Sequence, residues 1–354
     1  MFRISKADVA CVAILFCIDF SVAAWWNTRH THLAPHPKSA VELPDIKTDT
    51  NSAFATIATP VIPTVAVGES ETPEPNSGLW EHTYGDYTVK TVRGPEGVTD
   101  SMLQIFKAGT LVYATNSYNF FDPEEKPSDA DDNRPKRPRP CTNITGNGIP
   151  NLVVEEFSGG AHCCSTYHVF ELGNEFREIS TLDTYDAGAN FVDLDQNGIF
   201  GIRTADSSYA YVFTSYSGSF LPSTVLRFVD GKYSLATDWM FTQPLTAEEF
   251  VAIVNEVNTT YTTPTEDGSE ITLPSQWGGD AILWNKMLEL TYTGHVDQAL
   301  QLLDVCWQAG WGDKEAAADK FWKTVALSAY GRAVVEAQGY ELPKVTPEDA
   351  PQED

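Results

Sequence analysis

The sequence predicts a multi-part α+β protein: an antiparallel β domain built from propeller-like strand repeats, followed by a small all-α domain. Three observations predict it. From Gly78 to about Met240, β-branched and aromatic runs alternate with Gly, Asn and Asp punctuation. A ten-residue loop pattern recurs once, 50 residues on, as expected of a repeated strand unit. Beyond Met240 the apolar period changes from 2 to 3.6.

The chain has 354 residues, 23 Lys+Arg and 49 Asp+Glu, a formal net charge of -26. That excess of acids argues against a nucleic-acid partner, which needs clustered positive charge. A hydrophobic content of 42% is too high for a disordered chain, so a core is expected.

Residues 1–26 open with Arg3 and Lys6 and continue as an apolar run from Val9 to Ile18, resumed after Asp19 up to Trp26. This is the pattern of a signal peptide, with cleavage near Ala24, or of a membrane anchor that just reaches spanning length. Both readings place the rest outside the cytosol, and the membrane is met only through this segment. Residues 27–77 hold seven prolines and eight threonines, with Phe54 the one aromatic after Trp26, and read as a disordered linker.

In the β domain, 78–240, strands are expected at Tyr87–Val92, Met102–Phe106, Leu111–Ala114, Tyr209–Phe213, Val225–Phe228 and Tyr233–Ala236. Lys107-Ala108-Gly109-Thr110 reads as a hairpin turn. The loop 122–140 is acidic at first and then basic through Arg134, Lys136, Arg137 and Arg139, a solvated insertion that neutralises itself. The recurring pattern is NITGNGIPNL at 143–152 and DLDQNGIFGI at 193–202. In the second copy Asp193, Asp195 and Asn197 alternate ahead of Gly198, an arrangement that can curl oxygen ligands around Ca²⁺. Gly201 and Thr204 stand where a late carboxylate would complete the cage. The first copy offers Asn143, Thr145, Asn147 and Asn151, without charge.

These loops resemble the FG-GAP/VCBS-like loops of exported β-repeat proteins. The order NITGNGIPNLVVEEFSGGAHCCSTYHVFEL, FVDLDQNGI, LRFVDGKYSL and a helical end with LWNKMLELTYTGHVDQALQLLD resembles a family of bacterial exported proteins over roughly residues 84–330. That resemblance implies a fold and an exported location, with no established reaction. It departs at Asn143, Asn147 and Gly201, where related loops usually carry acids.

The SGGAHCC segment, 158–164, leads into an expected strand over 161–172. Alternation there places His162, Cys164, Thr166, His168 and Phe170 on one face and Cys163, Ser165, Tyr167 and Val169 on the other. His162 and His168 stand about 20 Å apart along an extended strand, too far to share one ion without a bend. In an oxidising compartment Cys141 could bridge to Cys163 or Cys164, while a vicinal Cys163–Cys164 bond would be strained. Glu155 and Glu156 point to opposite faces of a strand and so do not form a catalytic pair.

The helical domain, 241–339, shows a capping box at Thr246–Glu249, then apolar stripes around Leu283–Leu290 and Val296–Cys306 separated by Gly294. That pair resembles one TPR-type hairpin. A long helix is expected from Asp313, and 340–354 reads as an acidic disordered tail. No nucleophile elbow, HExxH helix or phosphate loop occurs. The functional expectation is a non-enzymatic envelope protein that binds an envelope protein or a glycan. The competing class is an exported hydrolase or redox enzyme with its site around SGGAHCC.

Overall fold

The computed structural model describes residues 79–94, 101–125, 137–159, 164–262, 282–308 and 311–346. The N-terminal segment, the linker, most of the charged loop, His162, Cys163 and the extreme tail lie outside them. The chain divides into two compact units, with the boundary between Phe241 and Thr242.

The β unit consists of three four-stranded antiparallel sheets, each a simple meander. The first contains β1 (Glu81–Tyr84), β2 (Tyr87–Arg93), β3 (Ser101–Lys107) and β4 (Thr110–Ser117). The second contains β5 (Asn119–Phe121), β6 (Asn151–Phe157), β7 (Ser165–Leu172) and β8 (Phe176–Tyr185), and the third β9 (Asn190–Val192), β10 (Gly201–Ala205), β11 (Ser223–Val229) and β12 (Lys232–Leu235). Among the described residues the strands do not close into a propeller; they form three consecutive four-stranded meanders.

Alternation fixes the packing. Tyr87 and Val89 of β2 and Leu103 and Ile105 of β3 face Leu152 and Val154 of β6 and Phe170 and Leu172 of β7 in one buried cluster. Each such side chain withdrawn from water contributes roughly 1.5–3 kcal/mol. Trp80 seals it, its Nε1–H donating to the Phe120 carbonyl at 2.9 Å. The opposite face of β7 is buried too, with the Tyr167 ring 6.1 Å from that of Phe191 on β9. The middle sheet is therefore covered on both faces, which explains why β6 and β7 read as nearly unbroken buried runs.

The hairpin turns follow the sequence signals: Ala108 and Gly109, and Asp230 and Gly231, all have positive φ, the two-residue geometry that suits strand twist. One expected strand is absent. Tyr209–Phe213 is irregular, because Asp206 accepts the Ser208 N–H at 3.0 Å and starts a 3-10 turn over Ser207–Tyr209. Buried Tyr209 and Phe213 stack 6.4 Å apart, so the alternation that suggested a strand is met by a compact turn.

A short α1 (Thr237–Met240) closes the β unit. The helical unit contains α2 (Ala247–Thr262), α3 (Ile282–Tyr292), α4 (Val296–Cys306), α5 (Lys314–Leu327) and α6 (Ala329–Ala337). The capping box forms as the sequence signals: Glu249 accepts the Thr246 N–H at 2.8 Å and Thr246 Oγ1 accepts the Glu249 N–H at 3.3 Å. Gly294, with φ +95°, ends α3. Ser328 splits the expected long helix by capping a new one, its Oγ accepting the Gly331 N–H at 3.0 Å. Leu283, Met287, Ala299, Leu303, Phe321 and Val325 are buried in its core, with Trp284 stacked on Phe321 at 5.7 Å. Among the described residues no helix is long and apolar enough to cross a membrane.

Candidate functional site

His168 is the one residue of the expected His/Cys constellation whose surroundings are fully described. It sits on β7 beside Phe170, on the face turned toward the first sheet, and is 6% exposed. Its Nε2 lies 2.7 Å from Glu156 Oε2 and its Nδ1 2.7 Å from Glu178 Oε1. Tyr113, from β4, adds its hydroxyl 3.4 Å from both His168 Nδ1 and Glu178 Oε1, and Thr181 donates to the same carboxylate at 3.0 Å. Burial alone would lower the imidazole pKa, but the two carboxylates outweigh it and raise it to about 9. Glu178 moves the opposite way: burial would raise its pKa, and the bond to His168 takes it below the ordinary value. His168 is therefore an imidazolium donating from both nitrogens, with no lone pair left for a metal or a proton.

Register explains how these groups meet. Glu156 pairs with Thr166 and Glu178 with Phe170, each two residues from His168 along β7 and on its face. Neither Glu178 nor Tyr113 was legible as a partner, since a period-2 pattern assigns a face but not the strand register. Glu155 faces away, accepting from Ser165 Oγ at 3.1 Å with Arg137 Nε 3.9 Å off. The two adjacent acids thus serve opposite faces, as alternation requires.

Cys141 departs from its expected pairing. Cys141 and Cys306 are free thiols, and Cys164 is disulfide-bonded to a partner outside the described residues. Cys141 cannot reach Cys164: it donates its N–H to Asn151 O at one end of β6, while Cys164 precedes Ser165, which pairs with Phe157 at the other. Those ends are about 20 Å apart, against the 4.4–6.8 Å Cα separation of a disulfide. Cys163 and His162 lie outside the described residues.

The two repeat loops pack on each other. Phe200 N–H donates to Ile144 O at 2.8 Å, and a Cβ on Gly146 would stand 2.7 Å from Ile199 Cγ1. In the second loop Asp193 accepts the amides of Asn197 at 3.0 Å and Gly198 at 2.9 Å, and Asn197 Oδ1 accepts that of Ile199 at 2.8 Å. Asp195 lies 3.5 Å from Arg227. These oxygens are the ones that would hold Ca²⁺, and here they cap their own turn and meet a cation of the chain. Among the described residues no group of three or more His, Cys, Asp or Glu is arranged around a metal position. At Gly201 a carboxylate is excluded sterically, since a Cβ there would stand 2.8 Å from the Leu226 carbonyl oxygen, and at Thr204 the side chain donates instead to the Gly188 carbonyl at 2.7 Å. In the first loop Asn147 donates to Glu171 at 2.6 Å, and Asn151 Oδ1 accepts the Ile144 amide at 3.0 Å.

A cavity of about 350 Å³ opens beside β5, lined by Trp80, Phe120, Phe121, Asp122 and Glu124 among others. His82 holds Asp122 at 2.8 Å on that side. None of the described residues of SGGAHCC, Ser158, Gly159 and Cys164, lines it.

No protein-family model and no solved structure matches the chain. An 89-residue stretch is 28% identical to a probable thylakoid lumen protein of Synechocystis sp. (strain ATCC 27184 / PCC 6803 / Kazusa). That match covers 24% of this chain and 26% of the relative, so the likeness spans about a quarter of either protein.

Proposed function

We propose that this is a non-enzymatic protein acting outside the cytosol, in the cell envelope or an equivalent lumen, where its β unit binds a partner. The observation that carries the non-enzymatic reading is the placement of His168, each ring nitrogen 2.7 Å from a carboxylate oxygen. Both ring nitrogens are committed to Glu156 and Glu178, so the described histidine beside SGGAHCC is an ion-cluster residue rather than a base or a ligand. The location is supported by the charged-then-apolar N-terminal segment and by partial likeness to a lumen protein.

The test of the site is the protonation state of His168. Imidazole ¹⁵N spectra should show both nitrogens protonated at pH 7.5, with titration near pH 9. A neutral His168 at pH 7.5, titrating near 6.5, would return the residue to the catalytic candidates.

A further inference from the structure

The two repeat loops carry the chain's two Asn-Gly pairs, Asn147-Gly148 and Asn197-Gly198, each followed by Ile. Such a pair is reactive, because a glycine has no Cβ to keep its amide nitrogen from the preceding side-chain carbonyl. Both asparagines are exposed. Gly148 has φ +83° and Gly198 φ +82°, and a Cβ on either would meet nothing within 4 Å. In each loop the Asn Oδ1 accepts the Ile amide, at 2.9 Å from Ile149 and 2.8 Å from Ile199. That bond closes a ring containing both the Asn Cγ and the Gly nitrogen, and it polarises the carbonyl that would be attacked. Neither the local sequence nor the turn separates the two sites.

The residue four places earlier does separate them. Asp193 holds the attacking group of the second loop: its Oδ2 accepts the Gly198 N–H at 2.9 Å and its Oδ1 that of Asn197 at 3.0 Å. Before it can attack, that amide must leave a charge-assisted bond and lose its proton beside a carboxylate. In the first loop Asn143 takes the place of Asp193, and its buried Oδ1 receives no donor. Among the described residues the Gly148 N–H meets no acceptor. The nucleophile is free in one loop and tethered in the other. The group that would leave, Asn147 Nδ2, donates to Glu171 Oε1 at 2.6 Å. Glu171 is 2% exposed, and its Oε2 accepts from Arg177 Nε at 2.9 Å.

We propose that Asn147 is a modification site, at which the chain deamidates through its own Gly148 nitrogen while Asn197 is protected. A bond forms between Gly148 N and Asn147 Cγ, the Cγ–Nδ2 bond breaks, and the Gly148 proton departs with Nδ2 as ammonia. Water then opens the succinimide at one of its two carbonyls, giving aspartate or isoaspartate. Either product replaces the Nδ2 donor with a carboxylate, so the tie from the first loop to Glu171 on β7 is lost. In the aspartate form a second acid stands against Glu171.

The test is to incubate the full-length protein in ¹⁸O water at neutral to mildly alkaline pH and map it by mass spectrometry, so that label marks only hydrolysis during the incubation. Labelled aspartate and isoaspartate should form at 147 roughly tenfold or more faster than at 197, the equivalent of one hydrogen bond to a charged group. In urea the two rates should converge. Asn143→Asp should slow the reaction at 147, and Asp193→Asn should speed it at 197. Asn147→Asp, which reproduces one product, should melt below wild type, with a smaller deficit when Glu171→Gln is the background. Equal rates at the two sites in the folded chain, no label at 147, or an Asn143→Asp variant labelled like wild type overturns the proposal. Melting of Asn147→Asp equal to wild type overturns the loss of the tie. Should that variant fail to fold, the labelling rates decide.

Discussion

Holding one imidazole between two carboxylates makes the β unit sensitive to alkali. The folded pKa of His168 is about 9, above the ordinary 6.5, so its stabilisation is complete below about pH 6.5 and is lost as pH rises through about 9. The shift corresponds to roughly 3 kcal/mol at most. Urea unfolding should therefore show wild-type stability falling by about 2–3 kcal/mol between pH 6.5 and 9.5. His168→Leu should be less stable at pH 6.5 by a similar amount, because Glu156 and Glu178 lose their counter-charge, and should lose this alkaline dependence. A flat wild-type profile contradicts the imidazolium. The sequence placed His168 and Phe170 correctly on one face, which periodicity alone can do. It hid Glu178 and Tyr113, which arrive through register and through packing of a second sheet.

At the scale of elements, the loop repeat was legible and its use was not. The pattern at 143–152 and 193–202 marks two turns that lean on each other, each leading into a strand. Gly146 has φ +76° and no room for a Cβ beside Ile199. Gly146→Ala should cost about 2 kcal/mol, part of it recovered by Ile199→Ala in a double-mutant cycle. Full additivity of the two substitutions would mean the loops do not lean on each other. The self-capped geometry of Asp193 and Asn197 predicts a melting temperature unchanged between excess Ca²⁺ and chelator. A calcium-dependent rise that Asp195→Ala abolishes would instead assign the cation. Turn signals with Gly were readable at 108–109 and 230–231, and the capping box at Thr246 was readable from four letters. The irregular Tyr209–Phe213 was misread because aromatic alternation satisfies a strand and a stacked turn equally; the Asp206 cap was the signal that separated them.

For the whole molecule, charge was the most legible feature. Six bases against 19 acids over residues 245–354 give that stretch a net -13, half the total in under a third of the chain. Such a surface stays solvated and is repelled by anionic polymers and lipid, in keeping with a partner engaged through the β unit. The stacking of three meanders was beyond the sequence, since the order of sheets depends on which buried face meets which, and all three offer similar apolar rows. The claim on which the rest depends is that the folded units work outside the cytosol. Protease accessibility of the full chain carrying a C-terminal epitope measures this directly in cells whose outer barrier has been opened and whose cytosolic membrane is intact. Loss of the epitope while a cytosolic marker survives is the predicted result; an epitope protected together with that marker would contradict the account.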